Sequence, residues 1–309
     1  MKITKAQLAQ FLNQYNVGAL LNFQKIELGL MNKILLIETD SGKYILKILI
    51  QNNSGNKLNY ELDLLNFLKD LPTPRPIIRK DLKYWSFFGK NKAFLMEYMP
   101  GEHKKVITNN DLKSIGVFLG KMHNQTARFR SSIKRLETLS HSSTSLNKIY
   151  RTCSNIKDTK TSNALKYIQG NINTYLPPKE LPIGAIHSDF KQENCLFKKN
   201  ILSGVVDFDN SYIAPLIIDL ANTIIWFCAK GSELDTKKTI TIIEAYQTAR
   251  KMSKNEKAYL LKAIHFTYLR NLLRGIEYFA MKKVKKDLID WAIDNFLVAE
   301  QKLPAKLNI

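Results

Sequence analysis

Residues 185–197 read "AIHSDFKQENCLF" and residues 204–209 read "GVVDFD". In the first stretch Asp189 stands two places after His187 and five before Asn194, with Ile186, Phe190, Leu196 and Phe197 around them. The apolar residues anchor a loop in a core, which turns Asp189 and Asn194 toward one space. Asp207 follows the strand-like run "LSGVV", so its carboxylate emerges at that strand's end. Two carboxylates and an amide oxygen suit a hard cation such as Mg²⁺, which takes few protein oxygens and keeps places for phosphate and water. With Asn194 and Asp207 on the metal, Asp189 is free to orient or deprotonate a hydroxyl nucleophile. Taken one at a time, Asp189 and Asn194 read better as turn caps and Asp207 as the start of a loop; together they point to phosphoryl transfer, where positioning and charge neutralisation do most of the catalysis.

Composition fits an enzyme of this kind. The 309 residues suffice for one large domain or two ordinary ones, and 45% are hydrophobic, as in globular proteins. The first residues, "MKITKAQLAQFLNQY", are amphipathic and do not read as a secretory signal. The longest apolar stretch, "SYIAPLIIDLANTIIWFCA", carries Asp219 and Asn222 and is broken by Pro215, so it reads as buried core. Cys153, Cys195 and Cys228 have no metal-ligand spacing and argue for reduced thiols in a cytoplasmic protein. The net charge of +20 invites a nucleic-acid reading, but the cations are mostly dispersed lysines, as on a solvated face. They favour anions, nucleotides among them.

The chain changes character near residue 100. Thr4 and Gln7 have capping-box spacing before a short amphipathic helix. Strand-like runs follow through "FQKIELGLMNKILLIETDSGKYILKILI", with "DSGK" as a turn. Leu58, Leu62, Leu65 and Leu68 mark a helix ending before "LPTPRP", and "KYWSFF" and "KAFLMEYM" add two strands. Beyond residue 101 Ile115, Leu119 and Met122 share a helical face. Residues 128–180, rich in Ser, Thr, Lys and Asn, read as exposed helices and loops; a short hairpin and several helices complete the chain. The expected class is α+β: an N-terminal antiparallel β-sheet lobe, residues 1–98, and a larger helical lobe, residues 99–309, with a ligand expected at their junction.

"HSDFKQEN" resembles the catalytic loop of the protein-kinase-like superfamily, "VVDFD" its metal-binding motif, "YILKIL" its lysine-bearing strand and "FLMEYMPG" its adenine hinge. The resemblance covers nearly the whole chain in order and implies a two-lobed kinase fold using ATP and Mg²⁺. It makes Asp189 the base and Asn194 and Asp207 the metal ligands. Lys47 would hold the α and β phosphates and pair with Glu61; a lysine flanked by Ile45, Leu46, Ile48 and Leu49 needs such a partner. The Glu97 carbonyl and Met99 amide would hold adenine, and Gly29 and Asn32 match a Gly-x-x-Asn phosphate loop. Lys191 would touch the transferring phosphate, or else be one more exposed lysine. His187, His123 and Cys195 read as scaffold.

Only "FDNSYIAPLII" separates Asp207 from Asp219, too little for a peptide-docking segment, so the acceptor is expected to be a small molecule. The spacing resembles the aminoglycoside phosphotransferase and choline kinase superfamily, in which an Asp-Leu-Ala like residues 219–221 buttresses the catalytic loop. Within it "PTPRPI", "LSGVVDF", "DLANTIIWFC" and "YLRNLLRG" are most similar to kinase-like homoserine kinases. That likeness implies a primary hydroxyl offered to Asp189 and a carboxylate held by Arg270 or Arg274, which otherwise read as helix-surface or salt-bridging residues. Choline, ethanolamine and aminoglycosides remain alternative acceptors. From a different class, a pseudokinase-like or nucleic-acid-binding scaffold also stays open.

Overall fold

Thr4 and Gln7 open the chain with the reciprocal bonds of a capping box: the Gln7 N–H donates to Thr4 Oγ1 at 3.3 Å and the Thr4 N–H to Gln7 Oε1 at 3.0 Å. The computed structural model describes residues 3–26, 32–50, 55–133, 135 and 143–305. Its fold class is the expected one, an antiparallel β-sheet lobe followed by a larger helical lobe, the two-lobed kinase-like arrangement. By contacts the chain divides into a first unit of residues 1–102, 130–135 and 196–209, and a second of residues 103–129, 136–195 and 210–309.

In the first unit, α1 (Lys5–Leu12) precedes β1 (Leu20–Ile26), β2 (Asn32–Thr39), β3 (Gly42–Leu49), α2 (Gly55–Phe67), β4 (Trp85–Phe88) and β5 (Asn91–Glu97). The strands form one antiparallel sheet in the order β1-β2-β3-β5-β4. The "DSGK" turn closes β2 on β3, with Thr39 opposite Gly42, whose φ of 148° lies in the left-handed region. Side chains alternate across a strand. Leu46 and Ile48 of β3 therefore join Leu35, Ile37 and Leu95 against Leu8, Phe11 and Leu12 of α1, which turns Lys47 to the opposite face.

In the second unit, α3 (Asn109–Thr126), α4 (Ser143–Cys153) and α5 (Thr159–Asn171) lead to β6 (Ile183–Ile186). The hairpin β7 (Cys195–Lys198) and β8 (Ile201–Val205) follows; from Leu196 onward it belongs to the first unit, where Phe197 and Glu102 exchange backbone bonds at 2.9 Å and the Val205 N–H donates to the Pro72 carbonyl at 2.9 Å. The chain returns to the second unit as β9 (Tyr212–Pro215), α6 (Leu216–Cys228), α7 (Thr236–Ala249), α8 (Lys254–Ala280), α9 (Lys286–Ala292), a π-helical turn at Ile293–Leu297 and α10 (Val298–Gln301). α6 is the apolar stretch of the sequence, and Asp219 and Asn222 are buried with it. Among the described residues no helix is long and apolar enough to cross a membrane.

Residues 128–180 differ from the exposed helices expected there: α4 buries Leu146, Ile149 and Cys153 and α5 buries Ala164 and Ile168, both packing on α8. Polar composition concealed one narrow apolar stripe per helix. α3 and α7 approach closely because Gly116 and Gly120 face the partner's backbone; a Cβ there would lie 2.6 Å from the Ile242 carbonyl oxygen and 2.7 Å from that of Tyr246. Cys153, Cys195 and Cys228 are all buried. Burial pushes the Cys153 thiol up to about 11 and the Cys228 thiol up to about 12.

Candidate active site

Lys47 is 3% exposed, between Ile34 of β2 and Phe94 of β5 in register. Its Nζ lies 2.8 Å from Glu61 Oε1, 3.3 Å from Asp207 Oδ1 and 3.9 Å from Asp209 Oδ2. Burial opposes the ammonium charge, but the carboxylates of Glu61, Asp209 and Asp207 outweigh it and hold this amine above the ordinary lysine range. Asp207 follows β8 with φ 67°, a left-handed conformation that turns the backbone at the strand's end. Its side chain is 43% exposed. Asn32 donates its Nδ2 to Asp209 Oδ2 at 3.3 Å, while Gly29 lies outside the described residues.

Sequence reading gave no role to three neighbours of this group. Arg135 donates to the Asp209 carbonyl at 2.5 Å and sits 5.8 Å over the Tyr60 ring. Lys57 is driven below the ordinary lysine range by burial, with Asp209 opposing and Arg135 adding to the shift. Asp209 itself was signalled by "DFD", an acid where protein kinases carry glycine. Glu97 ends β5 half-buried, with its N–H donated to the Arg75 carbonyl at 2.9 Å. Met99 follows, beside Gly204, where a Cβ would come within 3.2 Å of the Met99 Cβ.

In the second unit the loop after β6 is fastened from beneath. Asp219 is fully buried on α6; its Oδ2 accepts the His187 N–H and its Oδ1 the Ser188 N–H, both at 2.8 Å. Ser188 has φ 69°, a conformation that costs a non-glycine residue roughly 1–2 kcal/mol and persists because its surroundings impose it. His123 Nε2 meets Asp219 Oδ2 at 3.2 Å and its Nδ1 meets the Tyr246 hydroxyl at 2.9 Å. Burial drives His123 below the ordinary histidine value, against the opposing pull of Asp219. Burial would raise Asp219, but bonding to His123 and the charge nearby keep it below the usual carboxylate range. His187 is buried, and its Nδ1 accepts the Asp189 N–H at 3.3 Å.

This scaffold presents Asp189 partly exposed. Its Oδ1 lies 3.0 Å from Lys191 Nζ, and Asn194 donates Nδ2 to the Asp189 carbonyl at 2.7 Å and to Asp189 Oδ2 at 3.4 Å. The Lys191 ammonium also stands 5.7 Å over the ring of the half-buried Trp226. Arg270 is 2% exposed and donates to the Tyr212 hydroxyl at 3.3 Å and to Asn271 Oδ1 at 3.0 Å. Arg274 pairs with Glu277 and lies 4.8 Å from the Tyr278 ring. Thus the first unit gathers Lys47, Glu61 and Asp207, with Asn32 tied in through Asp209. The second gathers Asp189, Lys191 and Asn194, with both arginines engaged by side chains of their own unit.

Lys47 is thus buried among three carboxylates in the first unit, and Asp189 stands partly exposed on a pinned loop in the second. The sequence profile described as "Phosphotransferase enzyme family" matches residues 22–251, and the chain belongs to that family. It is 28% identical to the homoserine kinase of Agrobacterium fabrum over 82% of this chain and 79% of that protein. It is 27% identical to the homoserine kinase of Methylocella silvestris over 94% of this chain and 87% of that protein. Among solved structures, a microcompartment-associated aminopropanol kinase is similar with TM-score 0.72 at 16% identity, covering 97% of this chain and 95% of that one. The amicoumacin kinase hAmiN is similar with TM-score 0.71 at 15% identity, covering 98% and 95%. At such identities the shared property is the fold.

Proposed function

We propose that the chain transfers the γ-phosphoryl group of ATP, with Mg²⁺, to a hydroxyl of a small amine-bearing alcohol. Ethanolamine, aminopropanol, aminoglycosides and homoserine belong to that class, and choline, with a quaternary ammonium, is its nearest extension. The observation that carries the reading is Asp189: a carboxylate with one oxygen on Lys191, held by a loop whose preceding two peptide N–H groups are bound by buried Asp219. In this reading Asp189 takes or orients the acceptor's proton, and Lys191 stabilises charge on the transferring group. Residues 1–98 supply the nucleotide site and residues 99–309 the acceptor site and the catalytic loop. Lys47, fixed by Glu61, holds the α and β phosphates; Gly29 and Asn32 cover them; the Glu97 carbonyl and Met99 N–H take adenine.

Oxygen donors support the choice of Mg²⁺. Asn194 spends its Nδ2 on Asp189, leaving Oδ1 as a ligand, and Asp207 directs Oδ1 at Lys47, leaving Oδ2. A bound ion would neutralise phosphate charge.

An aromatic ring close to Asp189 supports an amine-bearing acceptor: Lys191, bound to Asp189, stands 5.7 Å over half-buried Trp226, and an acceptor cation takes that place when Lys191 turns to the transferring phosphate. Homoserine is the narrower reading. It is supported by the similarity to homoserine kinases and by the Nε atoms of Arg270 and Arg274, buried and without a hydrogen-bond partner among the described residues. Both Nη atoms of Arg270 are engaged, with Tyr212 and Asn271, and Nη1 of Arg274 is engaged with Glu277, which tilts the reading toward an acceptor lacking a carboxylate. ADP release with homoserine, choline, ethanolamine, aminopropanol and kanamycin discriminates these. Asp189→Ala should lower turnover about 10²- to 10⁴-fold with ATP affinity retained, and Asp207→Asn should weaken Mg²⁺-dependent ATP binding. Normal turnover in Asp189→Ala would refute the base assignment. Salt-sensitive RNA retention with no nucleotide-induced thermal shift would favour the scaffold reading instead.

A further inference from the structure

A chain of side-chain amides, Asn222 buried and Asn271 half-buried, runs from α8 to the strained residue of the catalytic loop. Arg270 donates to Asn271 Oδ1 at 3.0 Å, Asn271 Nδ2 donates to Asn222 Oδ1 at 3.0 Å, and Asn222 Nδ2 reaches the Ser188 carbonyl at 3.5 Å. Arg270 and Asn222 are 2% and 1% exposed, with Asn271 half-buried between them, so both ends of the relay need protein partners for their polar groups. Either amide could in principle turn over and exchange oxygen for nitrogen. An arginine cannot, because every polar hydrogen it carries is a donor and it has no acceptor. Its presence at the end of the chain compels Asn271 to turn its oxygen toward the guanidinium and its nitrogen toward Asn222. Asn222 must then offer its own nitrogen to Ser188. Ser188 is thus held on both sides, its N–H by Asp219 and its carbonyl by Asn222, in a left-handed conformation it would otherwise leave.

We propose that Arg270, Asn271 and Asn222 are positioning residues for Asp189: the donor-only guanidinium sets the direction of the relay, and the relay fixes the peptide preceding the base. The proposal rests on Asp189 being the base, and it assigns Arg270 to the loop instead of to the acceptor.

The decisive variant is Asn271→Asp, which keeps shape but inverts polarity. Its carboxylate can only accept, so Asn222 must turn its nitrogen to residue 271 and present its oxygen to the Ser188 carbonyl. Arg270→Met releases the relay, and Arg270→Lys restores a donor-only end. The readouts are kcat, KM for ATP, and amide exchange of the peptide covering residues 183–195, which needs no turnover. We expect Asn271→Asp to lower kcat about 10- to 100-fold, with KM for ATP unchanged and faster exchange in that peptide. Arg270→Met should follow in the same direction and Arg270→Lys should stay near wild type. Wild-type kcat and exchange in a folded Asn271→Asp protein would overturn the proposal. So would loss of ATP affinity in step with kcat, or Arg270→Lys failing as fully as Arg270→Met. Should Asn271→Asp not fold, the Arg270→Met and Arg270→Lys pair decides on the same readouts. Wild-type turnover on the acceptor panel tests the kinase reading separately, and exchange reports on the relay whether or not that reading stands.

Discussion

Replacing Lys47 by methionine preserves most of the side chain's volume and removes its charge. Glu61 is left with a side chain 3% exposed and no ammonium at 2.8 Å, and Asp207 and Asp209 lose a shared cation. Breaking a buried pair from one side typically costs about 3–5 kcal/mol, because the surviving charge is buried uncompensated. At about 2–4 °C per kcal/mol for domains of this size, that is roughly 6–20 °C in the midpoint of thermal unfolding. The cost should depend on pH in a defined direction. Without Lys47, burial raises the folded pKa of Glu61 above its unfolded value, so the group favours folding below its unfolded pKa of roughly 4.3 and loses that contribution as pH rises through the folded pKa. Lys47→Met should therefore lie closest to wild type near pH 5 and fall furthest behind near pH 8. The double variant Lys47→Met/Glu61→Gln should recover most of the stability at pH 8 and none of the ATP-induced thermal shift. Denaturant unfolding at both pH values and a nucleotide titration test both halves. A single variant as stable as wild type at pH 8, with no gain in the double variant, would refute the burial argument.

Two further outcomes follow from the second unit. His123 is buried with its pKa below the ordinary 6.5, so the unfolded chain binds a proton that the folded chain refuses; stability should fall as pH drops below 6.5, and His123→Gln should flatten that dependence in unfolding experiments. Gly120→Ala places a methyl 2.7 Å from the Tyr246 carbonyl oxygen, and forcing α3 from α7 should cost about 1–3 kcal/mol, seen as a lower denaturant midpoint with an unchanged slope.

Sequence order alone exposed those parts of the site whose chemistry contrasts with its surroundings. A lysine among Ile45, Leu46, Ile48 and Leu49 demands a partner, and a polar loop between Ile186 and Phe197 demands a reason, so Lys47 and Asp189 stand out in the sequence itself. Asp219 was legible as a buttress through the resemblance. The burial of Asn222 was legible from its apolar stretch, but its pairing with Asn271 was not, because an amide inside a helix has the same appearance whatever partner it meets 49 residues away. Arg270 drew attention as a cation available to a substrate, yet its neighbours in space, Tyr212 and Asn271, engage it within the core. Arg135 carried no local signal, and its position over Tyr60 and against Asp209 is a property of tertiary contact alone. The helices between residues 143 and 171 were read as exposed because Lys, Ser and Thr dominate them; Leu146, Ile149 and Cys153 were the stripe that spacing could have revealed.

The buried cysteines give the molecule an internal reporter. Cys153, Cys195 and Cys228 all belong to the second unit, and the first unit contains no cysteine. Folded thiols that are inaccessible and poorly ionised should be silent to alkylating reagents, and each becomes reactive when the packing around it opens. Labelling rates in mild denaturant therefore time the opening of the second unit with no engineered tag. A single cysteine introduced at buried Ala93, in the first unit, would give an independent clock for comparison.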